Sequence, residues 1–433
     1  MKKALILFTR APIDGKTKTR LLDFLTPGQA VDLHKFLLKD INSKLQKLKN
    51  IKIFVFFTPS DKAKNLERIL GVEHEFIAQS EGSLSERMFK AFKHVKTLGY
   101  EQILLIGSDI VNFTTQGFNS YFKALSKNDA AIAPTLDGGY CAIALRSASL
   151  RDEIFSSDYS LLDSVCEGVC AKFEELNLNY VKFKPLRDID TKEDIFAYIL
   201  GVRPSAIKPL ANGEYNINYK FRKGGQKVFR INTKSQIALE NQIKYEFDAL
   251  KILQSSKVTP APLEYYEPSP FLPRGAMSME FLKGRALRYE SDLETAASLL
   301  ASVHTVKIPS NHSLITAQKP LKAMFEECEK MANIYLDSNL ARPKTAEMIE
   351  FFLKIAKKFD LEREIEEPCI INTELNSANF IIAKDASYII DWEKPIIGER
   401  EQDLAHFSVP TTTFWKTDVI FSADEIEKFI NLY

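Results

Sequence analysis

Two incompatible hydrophobic patterns meet near Gly201-Val202-Arg203-Pro204, and that break constrains the fold more than any other feature of the chain. Before it, short continuous apolar runs alternate with stretches of helical spacing. Residues 4–8, 51–57 (IKIFVFF), 102–106 (QILLI), 130–133, 142–145 and 180–183 read as strands, and 28–47, 83–98 and 160–177 as helices. Strands that are apolar on both faces and alternate with helices predict an α/β domain with a mixed, mostly parallel sheet covered on both sides. After the break, residues 206–233 read as antiparallel hairpins, with turns at Asn212-Gly213 and Gly224-Gly225. A helix over about 237–254 and a strand over 277–281 follow, and the chain is largely helical beyond Gly284. That pattern predicts an α+β domain in two lobes, sheet first and helices second. The reading divides the chain into 1–201 and 202–433, with the lobes of the second part at about 205–287 and 288–433.

A length of 433 residues exceeds one ordinary core and agrees with two domains. Acidic and basic residues nearly cancel to +1, so net charge makes no case for nucleic acid or an anionic membrane surface. No stretch approaches 18 apolar residues, and no membrane span is expected. The run 4–8 is ended by Arg10, too short for a signal peptide, so the cytoplasm is the expected compartment. Five cysteines (Cys141, Cys166, Cys170, Cys328, Cys369) are too few and scattered for a disulfide scaffold. Cys166 and Cys170 lack the second pair or His cluster of a zinc site, and reduced, inert thiols are expected. No feature of the sequence sets the oligomeric state.

Four groups in the first part carry chemistry. The loop after the first strand holds Arg10, Lys16, Lys18 and Arg20 around Gly15. Cations and backbone N–H groups there suit a phosphate, and equally a solvated basic loop. Asp109 ends a buried strand, where Mg²⁺ is commonly held by one or two carboxylates plus phosphate oxygens; it also suits a helix N-cap. In Asp137-Gly138-Gly139-Tyr140 the glycines permit close approach of a ligand, or simply make a turn. In Asp188-Ile189-Asp190-Thr191 the two carboxylates alternate onto one side, with Asp190 placed to ligate or to cap the next helix.

Together Phe8-Thr9-Arg10, Lys16-Thr17-Lys18-Thr19-Arg20-Leu21, Gly107-Ser108-Asp109-Ile110, Asp137-Gly138-Gly139-Tyr140 and Asp188-Ile189-Asp190-Thr191 resemble, in order, the DUF2064 glycosyltransferase-like family over about 3–200. That family belongs to the Rossmann-like GT-A superfamily, alongside nucleotidyltransferases such as 2-phospholactate guanylyltransferase. The resemblance implies that Arg10, Lys16, Lys18, Arg20, Gly138 and Gly139 hold nucleotide phosphates. It implies that Asp109 and Asp190 hold Mg²⁺ or Mn²⁺, with Lys18 and Asp109 catalytic. The implied donor is a nucleoside triphosphate or nucleotide sugar; glycosyl and nucleotidyl transfer share fold and metal and differ in which phosphate bond breaks. The chain departs from the family at Ser83, where an Asp is common, and at Cys141, where a second Tyr follows the glycines. Both departures bear on the acceptor side.

In the second part, a loop carries Glu374 and Asn379 five residues apart, and a hairpin then delivers Asp391. Phosphoryl transfer needs such a set, a carboxylate near the acceptor hydroxyl with Asn and Asp on Mg²⁺, although a turn-rich loop and a strand-end Asp would look alike. The region resembles the aminoglycoside phosphotransferase and choline kinase family over about 205–410. Gly213 lies in the matching nucleotide-covering hairpin, Arg230 replaces the phosphate-pairing lysine, and Glu246 matches its partner. Met279-Glu280-Phe281-Leu282-Lys283-Gly284 matches the hinge, Ser302-Val303-His304 the helix that ends in His, and Asp391-Trp392-Glu393 with Asp403-Leu404-Ala405 the metal-binding and closing segments. The resemblance implies ATP, Mg²⁺ on Asn379 and Asp391, and Glu374 as the catalytic carboxylate. The catalytic loop departs from His-Gly-Asp-Leu-Asn: Asn372, Thr373 and Glu374 stand in the first three places. Trp392, Phe407 and Trp415 read as packing, or as a face for a quaternary amine. The whole predicts a bifunctional transferase that takes a small-molecule acceptor and a nucleotide donor, with no nucleic-acid partner. The alternative is a transferase regulated by a nucleotide-binding pseudokinase.

Overall fold

A computed structural model describes the chain apart from residues 156–158, 160–163, 214 and 235–238 and the side chains of residues 415 and 416. The starts of the helices read at 160–177 and 237–254, and the side chain of Trp415, therefore lie outside the described residues. The chain forms two compact units, Met1–Ile207 and Lys208–Tyr433.

In the first unit the strands are β1 (Lys3–Arg10), β2 (Ile51–Thr58), β3 (Glu75–Ala78), β4 (Gln102–Gly107), β5 (Ile110–Val111), β6 (Ala130–Pro134), β7 (Tyr140–Arg146), β8 (Tyr180–Lys182) and β9 (Arg187–Asp188). Seven of them make one sheet in the order β3-β2-β1-β4-β7-β6-β8. β1 runs parallel to β2 and β4, β2 to β3, and β6 to β8, while β7 is antiparallel to both β4 and β6. The sheet is thus mixed and mostly parallel, as its apolar strands predict. Alternate residues of β1 enter separate cores, Leu5 and Leu7 on one face and Ala4 and Ile6 on the other. That is why the strand is apolar without alternation.

Helices α1 (Pro27–Leu45), α2 (Ala63–Leu70), α3 (Leu84–Thr97), α4 (Thr115–Ala124), α5 (Val165–Glu175) and α6 (Lys192–Leu200) connect the strands. Their starts are set by side chains. Thr26 with Gln29, Ser83 with Glu86 and Thr191 with Asp194 form capping boxes. Thr114 caps α4. Neither Asp109 nor Asp190 serves as an N-cap, so that alternative for the two carboxylates falls away. Glu86 and Ser83, by contrast, are occupied in starting α3.

The second unit opens with an antiparallel sheet in the order β10-β11-β12-β14-β13, from β10 (Ile207–Asn212), β11 (Asn216–Arg222), β12 (Gln226–Asn232), β13 (Pro262–Tyr266) and β14 (Ala276–Glu280). α7 (Gln242–Leu253) packs against it. The rest is helical: α8 (Leu293–His304), α9 (Pro320–Leu336), α10 (Pro343–Ala356), α11 (Arg400–Ser408), α12 (Pro410–Lys416) and α13 (Ala423–Leu432). Short strands β15 (Arg285–Ala286), β16 (Cys369–Ile371), β17 (Phe380–Ile382), β18 (Tyr388–Ile389) and β19 (Ile396–Gly398) carry the loops between them. Trp392 and Phe407 are 1% and 0% exposed, so they pack the core and offer no face to a cation. All five cysteines are free. No helix among the described residues is long and apolar enough to cross a membrane.

Candidate functional site in each domain

In the first domain a cleft of about 340 Å³ opens beyond the carboxyl ends of β1 and β4, where open α/β sheets bind ligands. Arg10, Lys18 and Asp109 line it; Lys16, Arg20, Gly138, Gly139 and Asp190 are not among its lining residues. Lys18 adopts a left-handed conformation that turns its side chain inward, to 4% exposure. Its ammonium lies 3.0 Å from Asp109 Oδ1 and donates to the carbonyl of Ile189. The backbone of Ile189 in turn donates to Asp109 O at 3.0 Å, and β5 pairs with β9, so the loop, the strand end and the acidic turn converge. Burial works against the Asp109 carboxylate, but Lys18 and His34 overcome it and hold its pKa far below the usual carboxylate value. Arg20 pairs with Asp190.

The Gly138-Gly139 turn is fastened at both ends. Asp137 accepts from Gly139 N, and the carbonyl of Gly138 accepts from Cys166 N and Ser164 Oγ at the start of α5. A Cβ on Gly139 would stand 2.9 Å from Thr135 Oγ1, so only glycine fits without movement. Burial, followed by the charge of Asp137, pushes Asp188 up to about 6.

Two participants escaped the sequence reading. His34 on α1 is 3% exposed and lines the cleft, with Nε2 at 2.9 Å from the carbonyl of Arg10 and Nδ1 at 3.7 Å from Asp109. Its signal was present: it interrupts the buried stripe of Ala30, Leu37 and Ile41 at helical spacing. Gln79 ties the carbonyls of Thr9 and Phe56 together and accepts from Arg87, also in the cleft. Nothing in the local sequence marks Gln79. Glu393, read only as part of the Asp391-Trp392-Glu393 motif, gains a partner of its own in the second domain.

There, a cleft of about 700 Å³ is lined by Gly213, Arg230, Glu246, Asn379 and Asp391, with hinge residues Met279 to Leu282 along one side. Arg230, on β12, is buried to 7% among three carboxylates. Nη1 donates to Glu246 at 2.7 Å, and Nη2 to Glu393 at 2.6 Å and to Asp391. Asn216 also donates to Glu393. One guanidinium does not neutralise three carboxylates. Burial, only partly offset by Arg230, pushes Glu246 up to about 8, and burial raises Glu393 as well.

The catalytic loop hangs from Asp403, which is fully buried and accepts from Asn372 N at 2.8 Å, Thr373 N at 2.9 Å and His304 Nε2 at 3.1 Å. Asn372 Nδ2 donates to the carbonyl of Asp391, and Asn379 Nδ2 to that of Glu374. The loop and the metal-type Asp are therefore one hydrogen-bonded piece. Glu374 itself is not among the cleft's lining residues. Thr373 takes a φ of +74°, a left-handed conformation costly for a β-branched residue. Among the described residues no group of three or more His, Cys, Asp or Glu is arranged to hold a metal.

A small antiparallel lobe, a helical lobe and a cleft closed by an Arg–Glu pair have the form of a kinase-like phosphotransferase. Residues 206–425 match the family described as "Phosphotransferase enzyme family", and the chain belongs to it. Residues 41–159 match the family described as "Uncharacterized protein conserved in bacteria (DUF2064)". Among solved structures the chain is similar to a protein of Desulfovibrio desulfuricans G20 provisionally named a nucleotide-diphospho-sugar transferase. That pair shares 28% identity over 46% of this chain and 87% of the other, with a TM-score of 0.44. It is similar to the ADP-bound aminoglycoside phosphotransferase APH(2'')-Ib at 15% identity, over 56% of this chain and 81% of the other, with a TM-score of 0.42. For a choline/ethanolamine kinase family protein from Mesorhizobium loti the values are 16%, 56%, 76% and 0.40.

Two consequences are measurable. At position 373 strain and hydrogen bonding oppose each other, since Thr373 Oγ1 donates to the carbonyl of Lys394. Thr373→Gly is expected to keep or raise the melting temperature, whereas Thr373→Ala loses the bond and keeps the strain, falling about 1 kcal/mol below the glycine variant. Asp188 has a folded pKa of about 6, above the roughly 3.9 of an unfolded Asp. Its contribution to stability is complete below about pH 4 and is lost as pH rises through about 6. Asp188→Asn should therefore raise the melting temperature at pH 7.5 and change it little near pH 4.

Proposed function

We propose that the chain is a bifunctional nucleotide-dependent transferase. Its second domain transfers phosphate from ATP to a small alcohol, amino alcohol or sugar. Its first domain uses a nucleoside triphosphate or nucleotide sugar, in nucleotidyl or glycosyl transfer, and the joining of the two suggests that it activates the same compound. The observation that carries the second-domain reading is the Arg230 cluster inside a cleft that Asn379 and Asp391 also line.

The donor set there suits a divalent cation. Asp391 offers a carboxylate that is 44% exposed, and Asn379 spends its amide nitrogen on Glu374 O, which leaves its oxygen for a cation. The surplus negative charge around Arg230 is what such an ion would offset. Asp391 and Asn379 would hold Mg²⁺, which supplies charge neutralisation on the transferring phosphates. Arg230, oriented by Glu246, would meet the phosphates as a planar fork. Glu374 would accept the acceptor's proton. In the first domain Asp109 and Asp190 are hard oxygen donors, each 39–40% exposed and each paired with a cation, Lys18 or Arg20. Nucleotide phosphates are natural partners for those two cations and for Arg10 and Lys16. Their binding would free the carboxylates for Mg²⁺ or Mn²⁺.

A second reading has its own support. Glu374 lies off the cleft lining, and Arg230 closes on Asp391. A domain so arranged could bind nucleotide without turnover and regulate the first. The two readings part on one experiment: full-length protein with Mg·ATP and a panel of amino alcohols, alcohols and sugars. Phosphorylated product that falls at least about 100-fold in Glu374→Ala supports the kinase. ATP binding without product from any acceptor supports the regulatory domain. In parallel, Asp109→Asn should abolish pyrophosphate release from nucleoside triphosphate and a phosphorylated acceptor; unchanged release removes Asp109 from the mechanism.

A further inference from the structure

The helices α9 and α10 are amphipathic, yet almost nothing covers them. α10 has no buried residue, and α9 buries only Pro320 and Ala332. Met324, Met331, Met348, Phe351, Phe352 and Phe359 are 45%, 64%, 53%, 60%, 60% and 63% exposed. Scattered exposed hydrophobics are ordinary, but a concentration on one hairpin is not.

Apart from Phe359, which follows the end of α10, these residues share one side of it. The helices run antiparallel: Glu329, near the middle of α9, pairs at 3.5 Å with Lys357, just past the end of α10, and the amide of Arg342 in the connection donates to Tyr335 near the end of α9. In α9 the exposed Met324 and Met331 each precede a more buried residue, Phe325 beneath Lys357 and Ala332. In α10 the exposed Met348 and Phe352 each precede a half-buried residue, Ile349 and Leu353. One position is a rotation of about 100° in each helix. The same rotation in two antiparallel helices brings both stripes out on the same side. Phe351 and Phe352 stack edge to face there, with ring centroids 5.6 Å apart.

We propose that this face is the interface of a homodimer, in which two copies of the hairpin pack across a two-fold axis as a four-helix bundle. Area supports a second copy. At roughly 200 Å² for each whole side chain, the five residues on that side expose on the order of 560 Å² of apolar surface. A standard interface buries about 800 Å² per partner, of which roughly two-thirds is apolar in homodimers. Charge points the same way. α9 carries Glu326, Glu327 and Glu329 against Lys322 and Lys330, while residues 343–358 carry Lys344, Lys354, Lys357 and Lys358 against Glu347 and Glu350. A two-fold axis parallel to the helices sets the acidic α9 of one copy beside α10 and the lysines just past its end in the other, as a self-complementary interface permits. An anionic lipid surface would instead favour a uniformly basic rim, which α9 does not supply.

The test is the mass of the full-length chain by light scattering over a dilution series. The parent is expected at twice its 49.2 kDa chain mass. Phe352→Glu should dissociate at a concentration at least about 30-fold higher, with an unchanged circular dichroism spectrum; Phe352→Leu should remain dimeric. A parent that is monomeric at every concentration overturns the proposal, as does a dimer indifferent to both Phe351→Glu and Phe352→Glu. A monomer that sediments with phosphatidylserine vesicles also overturns it and gives the face to lipid.

Discussion

The cleft of the second domain depends on a buried guanidinium. Arg230 joins β12 to α7 through Glu246, and both to the Asp391–Glu393 segment. Removing one partner from such a cluster leaves uncompensated charge in the interior, at a cost of about 3–5 kcal/mol. Three carboxylates share the one guanidinium, and burial, only partly offset by Arg230, raises the pKa of Glu246 and of Glu393. A metal–nucleotide complex would bring a further cation to that cluster. Arginine in this place is more than a substitute for lysine, because its planar fork engages three carboxylates at once.

The first domain reaches a similar arrangement by another route. Lys18 is buried against Asp109 because its backbone turns left-handed, which aims the side chain back across the strand ends. The ammonium and the carboxylate hold one another until something replaces them. In both domains, then, the candidate metal ligand is held by a cation that phosphate could draw away.

Much of this was legible in the sequence because it was local. Apolar strands without alternation announced a sheet covered on both faces, and the Lys16–Arg20 loop, Asp109, the Gly138-Gly139 turn and the Glu374–Asn379 loop were each visible as short motifs. What was hidden depends on residues far apart meeting. His34 reaches Asp109 from the middle of a helix, and Gln79 bridges two strands through backbone carbonyls that no sequence pattern marks. Glu393 was read as part of a motif and turned out to share Arg230 with Asp391. Elements with weak patterns were also missed: β3 is half exposed, and β13 mixes tyrosine with charge. For Asp109 and Asp190 only the capping alternative was removed, since Thr114 and Thr191 do the capping.

The central claim is that each domain holds its own nucleotide. Counting nucleotides bound per full-length chain at saturation, with Mg²⁺ and a panel of nucleoside triphosphates and nucleotide sugars, tests it directly. The account predicts two per chain, falling to one in Asp391→Asn and to one, by loss of the other, in Lys18→Met. A parent that binds one or none, or a single substitution that abolishes both, would contradict it.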